Sequence, residues 1–569
     1  MQAVKNSLAQ TLFSLITGKF GKEPPPPEQL AAMLEYPPDN NMGHLAFPCF
    51  KLSRELRMAP PAIASALADG FRNEYVSEVS VAGGYLNFRL CKQAFINHVA
   101  QEISEKGDRY GSPMNGDGKT VVLDYSSPNV AKPFHIGHLG TTVIGHSLRL
   151  LHEFAGYQCV GINHLGDWGT QFGKMIIAFR KWADKPVDEC TVDDLVALYV
   201  RFHAEAEKDS SLEDEARAEF TKLEHHDPDD IRLWKKFIEI SLKEYKVTYK
   251  QLGIEFDSYN GESFYSDKMP AVIEKIRQAG LLEIDDGASV VRLDQYGMPP
   301  CLILKRDGSS LYPARDIAAA LYRKETYHFS KCIYVTSAGQ SLHFAQWFKV
   351  LSLMGYPWAD SELIHVPYGT VSIGGEKLAT RTGNVILLRD IFDTAIEKVK
   401  GIMAVKSPDL PHRDEVAEAV GVGAVVFHYL LNNRMRDINF NMEEALSFEG
   451  NTGPYAQYTY ARCCSILEKA ATVPDSPSFS DCGEPELALA LVLSQFSERV
   501  NSALAEYEPS YITRYILELC TAFNRFYHEC QILGCDASLR GARLNLVADT
   551  RSVLGTALHL ICLKTPNKI

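Results

Sequence analysis

The run VVLDYSS (121–127), then NVAKPFHIGHLG (129–140), then the apolar stretch TTVIGHSLRLLHEFAGY (141–157) and CVGINHLGDWG (159–169), constrains the fold more than any other part of the chain. A short β-rich run bounded by turn residues reads as a buried strand, and the long apolar stretch after it reads as a helix. Strand, helix and strand in that order form a β-α-β unit, the entry to a doubly wound parallel sheet. Sheet-like segments return at CLILKRDG (301–308), KCIYVTSA (331–338) and ELIHVPYG (362–369). Between them the chain is helical and charged over 180–250 and mixed over 253–300, so an insertion splits the βα pattern.

Two further units flank this one. Residues 1–115 open with helical patterns and close on VSEVSVAGGYLNFRL, which alternates as two strands do around a Gly-Gly turn. From 406 onward the sequence is almost wholly helical, in stretches separated by short polar or Pro/Gly segments, as in a helix bundle. The expected fold class is therefore α/β: a Rossmann-type parallel-sheet domain with an insertion, a small α+β N-terminal domain and an all-α C-terminal helix-bundle domain. The expected boundaries are 1–115, 116–370 with the insertion at about 180–300, 371–405, and 406–569.

Charge and cysteine usage narrow the function. A formal net charge of −13 argues against binding nucleic acid by bulk charge, though not against a local basic face. Thirteen cysteines without a C-x-x-C pair read as reduced thiols. No apolar run approaches a membrane span, and the N-terminus lacks a signal-peptide pattern, so a cytoplasmic location without membrane contact is expected. His225, His226 and Asp227 are adjacent residues whose side chains diverge on a helix, so no metal site is expected there.

The turn at 126–138 lies beyond a strand's carboxyl end, where open parallel sheets bind ligands. A helix N-terminus there favours phosphate. Gly137 lets a flat base approach the backbone, and His135 and His138, three apart, lie on one face. Their N–H groups suit a phosphate whose charge builds in a transition state.

FHIGH (134–138) after a first strand resembles the signature of class I aminoacyl-tRNA synthetases. DYSSPNVAKPFHIGHLG, GDWGTQFG (166–173), LGIEFDSYNGESFY (252–265), YPARDIAAALYR (312–323), QSLHFAQWFKVL (340–351) and FEGNTGPYAQYTYARCCSIL (448–467) lie in chain order and resemble the arginyl-tRNA synthetases of bacterial type. The resemblance implies a ligase that activates L-arginine with ATP, usually with Mg²⁺, releases pyrophosphate, and transfers the arginyl group to the terminal ribose of tRNA(Arg). It also implies a monomer, a helical anticodon-binding domain at 406–569 and an N-terminal domain that touches the tRNA elbow.

Site residues carried over by this resemblance fall into three groups. Phe134, His135, Gly137 and His138 belong to ATP, with His135, His138, Lys132 and Lys377 catalytic. Tyr312 and Asp316, four apart on one helical face, meet the guanidinium, while Asp124, Asn129 and Gln340 complete the arginine pocket; which of these three holds the side chain and which the α-amino group stays open. An ion pair with neighbouring Arg315 is the competing use of Asp316. Relatives carry a second loop, K-M-S-K-S, and here the equivalent stretch EKLATRTGN (376–384) has Lys377, Thr380 and Arg381 at the ATP, with Thr380 where the second lysine would stand. Lys132, just before the histidines, is expected to substitute for it. HLGTT likewise replaces the family's common HLRST and removes one arginine from the phosphate site. Tyr85, Asn87 and Phe88 are the candidate tRNA contacts, by stacking on unpaired bases.

Overall fold

Val121, Val122 and Leu123, all fully buried, make β1 (Thr120–Asp124) an inner strand of a four-stranded parallel sheet. This arrangement comes from a computed structural model that describes residues 1–569 except 307–311, 374–375, 378–385, 471 and 475–476. After β1 come α1 (Leu139–Phe154), β2 (Gln158–Ile162), the inserted α2 (Pro228–Leu252), α3 (Tyr312–Tyr327), β3 (Lys331–Ser337), α4 (Ser341–Leu353) and β4 (Leu363–Tyr368). The strands lie in the order β4-β3-β1-β2, with Val122 opposite Cys332 on one side and Val160 on the other. From β1 the chain steps outward to β2, then returns across β1 to β3. The reversal opens a crevice at the carboxyl ends of β1 and β3, where such sheets bind ligands. Beneath it, Val122, Ile162, Cys332, Ile317, Ala318 and Trp347 belong to one buried apolar cluster.

One sheet-like segment is corrected. Cys301–Leu304 does not join the parallel sheet; it pairs antiparallel with Ala288–Val291, which pairs in turn with Leu282–Asp285. These three short strands form a separate sheet inside the insertion.

The inserted helix α2 has local reasons for its limits. Asp227 caps it by accepting from the N–H groups of Asp229 (3.1 Å) and Asp230 (3.2 Å), Pro228 opens it, and Gly253 closes it at φ 70°. Leu233, Phe237, Ser241, Tyr245, Thr248, Tyr249 and Leu252 form its buried face. The charged composition of this region thus describes mostly the solvent side; Asp230, buried, pairs with Arg180 at 2.7 Å.

The chain divides into two compact units. The one holding the parallel sheet comprises Ser112–Tyr458, Ser502–Arg514 and Ala557–Ile569. The other comprises Met1–Gly111, Thr459–Asn501 and Tyr515–Thr556, so the helical sequence after 406 contributes to both. In the second unit, Val76–Ala82 and Tyr85–Leu90 form the expected hairpin, and Leu45–Pro48 pairs antiparallel with the latter strand. Gly83 (φ 60°) and Gly84 (φ 113°) make the turn, and a Cβ on Gly84 would lie 2.8 Å from Cβ of Pro60. Among the described residues no helix is long and apolar enough to cross a membrane.

Candidate active site

The loop that leaves β1 is strained and held. Ser126 (φ 70°), Ser127 (φ 44°) and Ala131 (φ 59°) adopt the left-handed backbone that non-glycine residues avoid. Each is tied down. The Ser126 N–H donates to Thr141 Oγ1 (3.0 Å), whose own hydroxyl donates to the Val335 carbonyl (2.6 Å), so α1 bridges the ends of β1 and β3. Ser127 Oγ donates to Asp124 Oδ1 (2.9 Å). From α2, Ser241 Oγ accepts the Ala131 N–H (2.9 Å), and the Tyr245 hydroxyl donates to the carbonyls of Asn129 (2.8 Å) and Lys132 (2.9 Å). Tyr249, also on α2, hydrogen-bonds Ser126 Oγ (2.8 Å) and accepts from Asn163 Nδ2 (2.9 Å).

A 3₁₀ turn over Ile136–His138 follows, and its geometry brings residues i and i+3 into line. His135 Nδ1 accepts from the Gly137 N–H (3.0 Å), and His138 Nδ1 accepts from the His135 N–H (3.2 Å). Both Nδ1 atoms are therefore acceptors, and each ring carries its proton on Nε2. The ring centroids are 4.0 Å apart. Burial, with Lys132 adding to it, holds His135 down at about 4; burial, His135 and Lys132 hold His138 at about 3. Near pH 7 the pair offers two neutral N–H donors. Phe134, 4 % exposed, stacks against His138 (5.1 Å, 17°). The turn is also stitched to the residues after the second loop: Ile136 N–H donates to the Ile386 carbonyl (3.2 Å), and Leu388 N–H to that of Phe134 (2.9 Å).

The crevice encloses a cavity of about 680 Å³. Its walls include His138 and Lys132 from the turn, Asp124 and Asn129 from the β1 loop, Tyr312 and Asp316 from α3, and Gln340 just before α4. Phe134, His135 and Gly137 are not among its walls. On α3 the lining residues Tyr312, Asp316, Ala319 and Arg323 share one helical face, of which Ala319 and Arg323 are buried, as are Ala314, Ile317, Ala318 and Ala320 elsewhere on the helix. Tyr312 is 63 % exposed, at the rim. Asn129 packs against Gly166, where a Cβ would come within 2.0 Å of Asn129 Oδ1.

Among the described residues three carboxylates line this cavity, and each already has a partner. Asp124 Oδ2 lies 2.8 Å from Nη1 of Arg323, which is 1 % exposed. The charge of Asp124 is thereby matched from within the protein. Glu262 meets Arg315 (2.9 Å), and burial pushes its carboxyl up to about 7 against the pull of that arginine. Arg315 is thus engaged by Glu262, and Asp316 pairs with His343, Nε2 to Oδ2, at 2.6 Å. Glu262, Arg323, His343, Ser241, Tyr245 and Tyr249 were not singled out from the sequence. The signals present were the motifs NGESFY, YPARDIAAALYR and QSLHF; nothing local marked α2.

Other expected residues fare differently. Thr380 and Arg381 lie outside the described residues, as do Gly374, Gly375 and Gly383 around that loop. Lys377 falls in a two-residue strand, Glu376–Lys377, antiparallel to Val371–Ile373. Of the tRNA candidates, Phe88 is fully buried against Phe71 (4.8 Å) and Asn87 is 5 % exposed, a correction that follows from their place in the central strand of a sheet. Tyr85, 37 % exposed, presents its ring beside that of Phe50 (5.2 Å). His225 Nδ1 bonds the carbonyl of Thr221 (2.7 Å).

Comparison with known proteins gives a consistent picture. Residues 98–442 match the family described as tRNA synthetases class I (R), catalytic domain; residues 456–569 match the DALR anticodon binding domain, and residues 2–90 the arginyl tRNA synthetase N terminal domain. An arginine–tRNA ligase of Alkaliphilus metalliredigens is 47% identical over 573 residues, covering 100% of both chains. One of Halothermothrix orenii is 48% identical, covering 95% of this chain and 96% of its own. The arginyl-tRNA synthetase structure of Thermus thermophilus shares the fold, with a TM-score of 0.80 at 24% identity and 100% of both chains covered.

Proposed function

The chain belongs to the class I arginyl-tRNA synthetases and ligates arginine to tRNA at the expense of ATP; from that premise we propose how its residues divide the work. Arginine lies with its guanidinium against Asp316 and Tyr312, flanked by Gln340 and Asn129. A guanidinium offers a planar fork of donors that a carboxylate accepts two at a time, which an ammonium does not match. Asp124, already paired with Arg323, shapes the pocket and leaves the substrate's charge to Asp316. ATP lies against the histidine turn.

In the first step an oxygen of the arginine carboxylate attacks the α-phosphorus. The bond to the bridging oxygen breaks, and pyrophosphate leaves. Charge grows on phosphate oxygens, and the neutral Nε2–H groups of His135 and His138 donate to it without needing to lose or gain a proton. Lys132 faces the departing pyrophosphate in place of the lysine that Thr380 replaces; Lys377 and Arg381 complete that side. In the second step a terminal ribose hydroxyl of tRNA attacks the adenylate carbonyl, and AMP leaves. Mg²⁺ enters with ATP. Bound with ATP it would neutralise phosphate charge; the cavity's described acids Asp124, Glu262 and Asp316 already pair with Arg323, Arg315 and His343. Tyr85 contacts the tRNA elbow, and the enzyme acts as a monomer in the cytoplasm.

The observation that carries this reading is a single cavity whose walls hold His138 and Lys132 together with Asp316, Tyr312 and Gln340. The test is tRNA charging with each of the twenty amino acids, the wild type beside Lys132→Ala. Arginine alone should be charged, and the variant should lose about a hundredfold in kcat with little change in the KM for arginine. Charging of another amino acid in preference to arginine refutes the pocket, and an unimpaired variant refutes the role of Lys132.

A further inference from the structure

The three acids of the cavity differ in what neutralises them. Asp124 and Glu262 face the guanidinium groups of Arg323 and Arg315, which do not release their protons in proteins. Asp316 faces an imidazole, which can donate a hydrogen bond without carrying charge. Among the described residues the cavity therefore keeps one carboxylate whose ion-pair partner is not a guanidinium, Asp316 on α3.

His343 is built into that position. It sits on the first turn of α4, three residues after Gln340, and its ring meets Phe344 edge-on (5.6 Å, 82°). Phe344, 6 % exposed, stacks flat on His365 (4.4 Å, 5°), whose Nε2 lies 2.8 Å from Thr336 Oγ1 at the end of β3. The donor is thus anchored to the sheet. Its target needs anchoring, because an aspartate carboxylate turns easily about its terminal torsion. A bidentate contact requires both oxygens in the plane of the incoming fork. One fixed hydrogen bond to Oδ2 sets that plane and leaves Oδ1 and the second lone pair of Oδ2 for two parallel N–H groups.

We propose that His343 is a positioning residue for amino-acid selection: a hydrogen-bond donor that fixes the Asp316 carboxylate in the orientation a guanidinium needs. The proposal rests on the placement of Asp316 at the guanidinium, and the experiment separates the two. Steady-state charging of tRNA is measured for the full chain with His343→Leu, His343→Gln, Asp316→Asn and the double variant His343→Leu/Asp316→Asn. Glutamine places an amide N–H close to where Nε2 stands, so it keeps the donor without an imidazole.

His343→Leu should raise the KM for arginine about tenfold, the scale of one hydrogen bond to a charged group, with kcat and the KM for ATP within about twofold of wild type. His343→Gln should return the arginine KM to within about threefold of wild type. The double variant should be no worse than Asp316→Asn alone, because the histidine acts only through that carboxylate. Three results overturn the proposal: an unchanged arginine KM in His343→Leu while Asp316→Asn raises it, equal damage from leucine and glutamine, or additive losses in the double variant. If Asp316→Asn spares the arginine KM, the reading of the pocket falls first and the proposal with it.

Discussion

Tyr245→Phe is the sharpest probe of how the inserted helix serves the chemistry. The substitution removes one oxygen from a ring that is fully buried, with no change in apolar volume. That hydroxyl donates to two carbonyls, Asn129 at 2.8 Å and Lys132 at 2.9 Å. One proton cannot fully serve both, so the loss is about one net hydrogen bond, near 1 kcal/mol, plus about 1–3 kcal/mol for a carbonyl left without a donor. Between those carbonyls sits Ala131 at φ 59°, a backbone state that costs a further 1–2 kcal/mol or so and is held only by its surroundings. Loosening of about 2–4 kcal/mol shifts the equilibrium of the working loop against it by roughly 30- to 700-fold. Single-turnover charging of tRNA at saturating arginine and ATP should therefore slow by at least about tenfold, with the far-ultraviolet circular dichroism unchanged. Adding Ala131→Gly should recover part of the rate, because glycine takes the left-handed state freely. A Tyr245→Phe enzyme within threefold of wild type would falsify the argument that this hydroxyl holds the loop.

Three further outcomes follow from the same geometry. The folded values of about 4 and 3 for His135 and His138 lie below the 6.5 of a free imidazole, so the unfolded chain binds protons that the native turn rejects. Their contribution to stability is whole above pH 6.5 and shrinks as pH falls toward those values, by about 2 kcal/mol per ring at pH 5; urea midpoints at pH 7.5 and 5.0 should converge in a double glutamine variant, and an unaltered pH slope there would count against it. Gly166→Ala should leave the melting temperature nearly intact but raise the KM for arginine about tenfold, since its Cβ would sit 2.0 Å from Asn129 Oδ1 and move that side chain. Arg323→Leu strands the Asp124 carboxylate in the interior and should cost about 3–5 kcal/mol by thermal unfolding, with most of it regained in Arg323→Leu/Asp124→Asn; equal melting temperatures for the two variants would contradict the pairing.

The β1 region and the histidine turn were legible because their signals are local. Valines and a leucine in a row give a buried strand, and a spacing of three sets both imidazoles on one side of a tight turn. Tyr312 and Asp316 were named only through the resemblance; their spacing of four states no more than that they share one helical face. Partner choice was not legible. Whether Asp316 meets Arg315 or His343 depends on how α4 lies against α3, which no spacing encodes. Cys301–Leu304 reads as a strand in either sheet, because an apolar run states burial and not its neighbours. Phe88 and Tyr85 differ only in position: both are aromatic, and the pleat and the central place of their strand put one in the core and the other outside. The charged insertion concealed Ser241, Tyr245 and Tyr249 because composition is dominated by the residues that face water.

Pro228–Leu252 interrupts the sheet in sequence yet supplies three hydroxyls to the loop at the sheet's mouth. Excising that detour to shorten the enzyme would leave a smooth-looking scaffold whose reactive edge has lost its scaffolding, so miniaturised versions must graft replacement donors for those backbone groups before they can be expected to turn over.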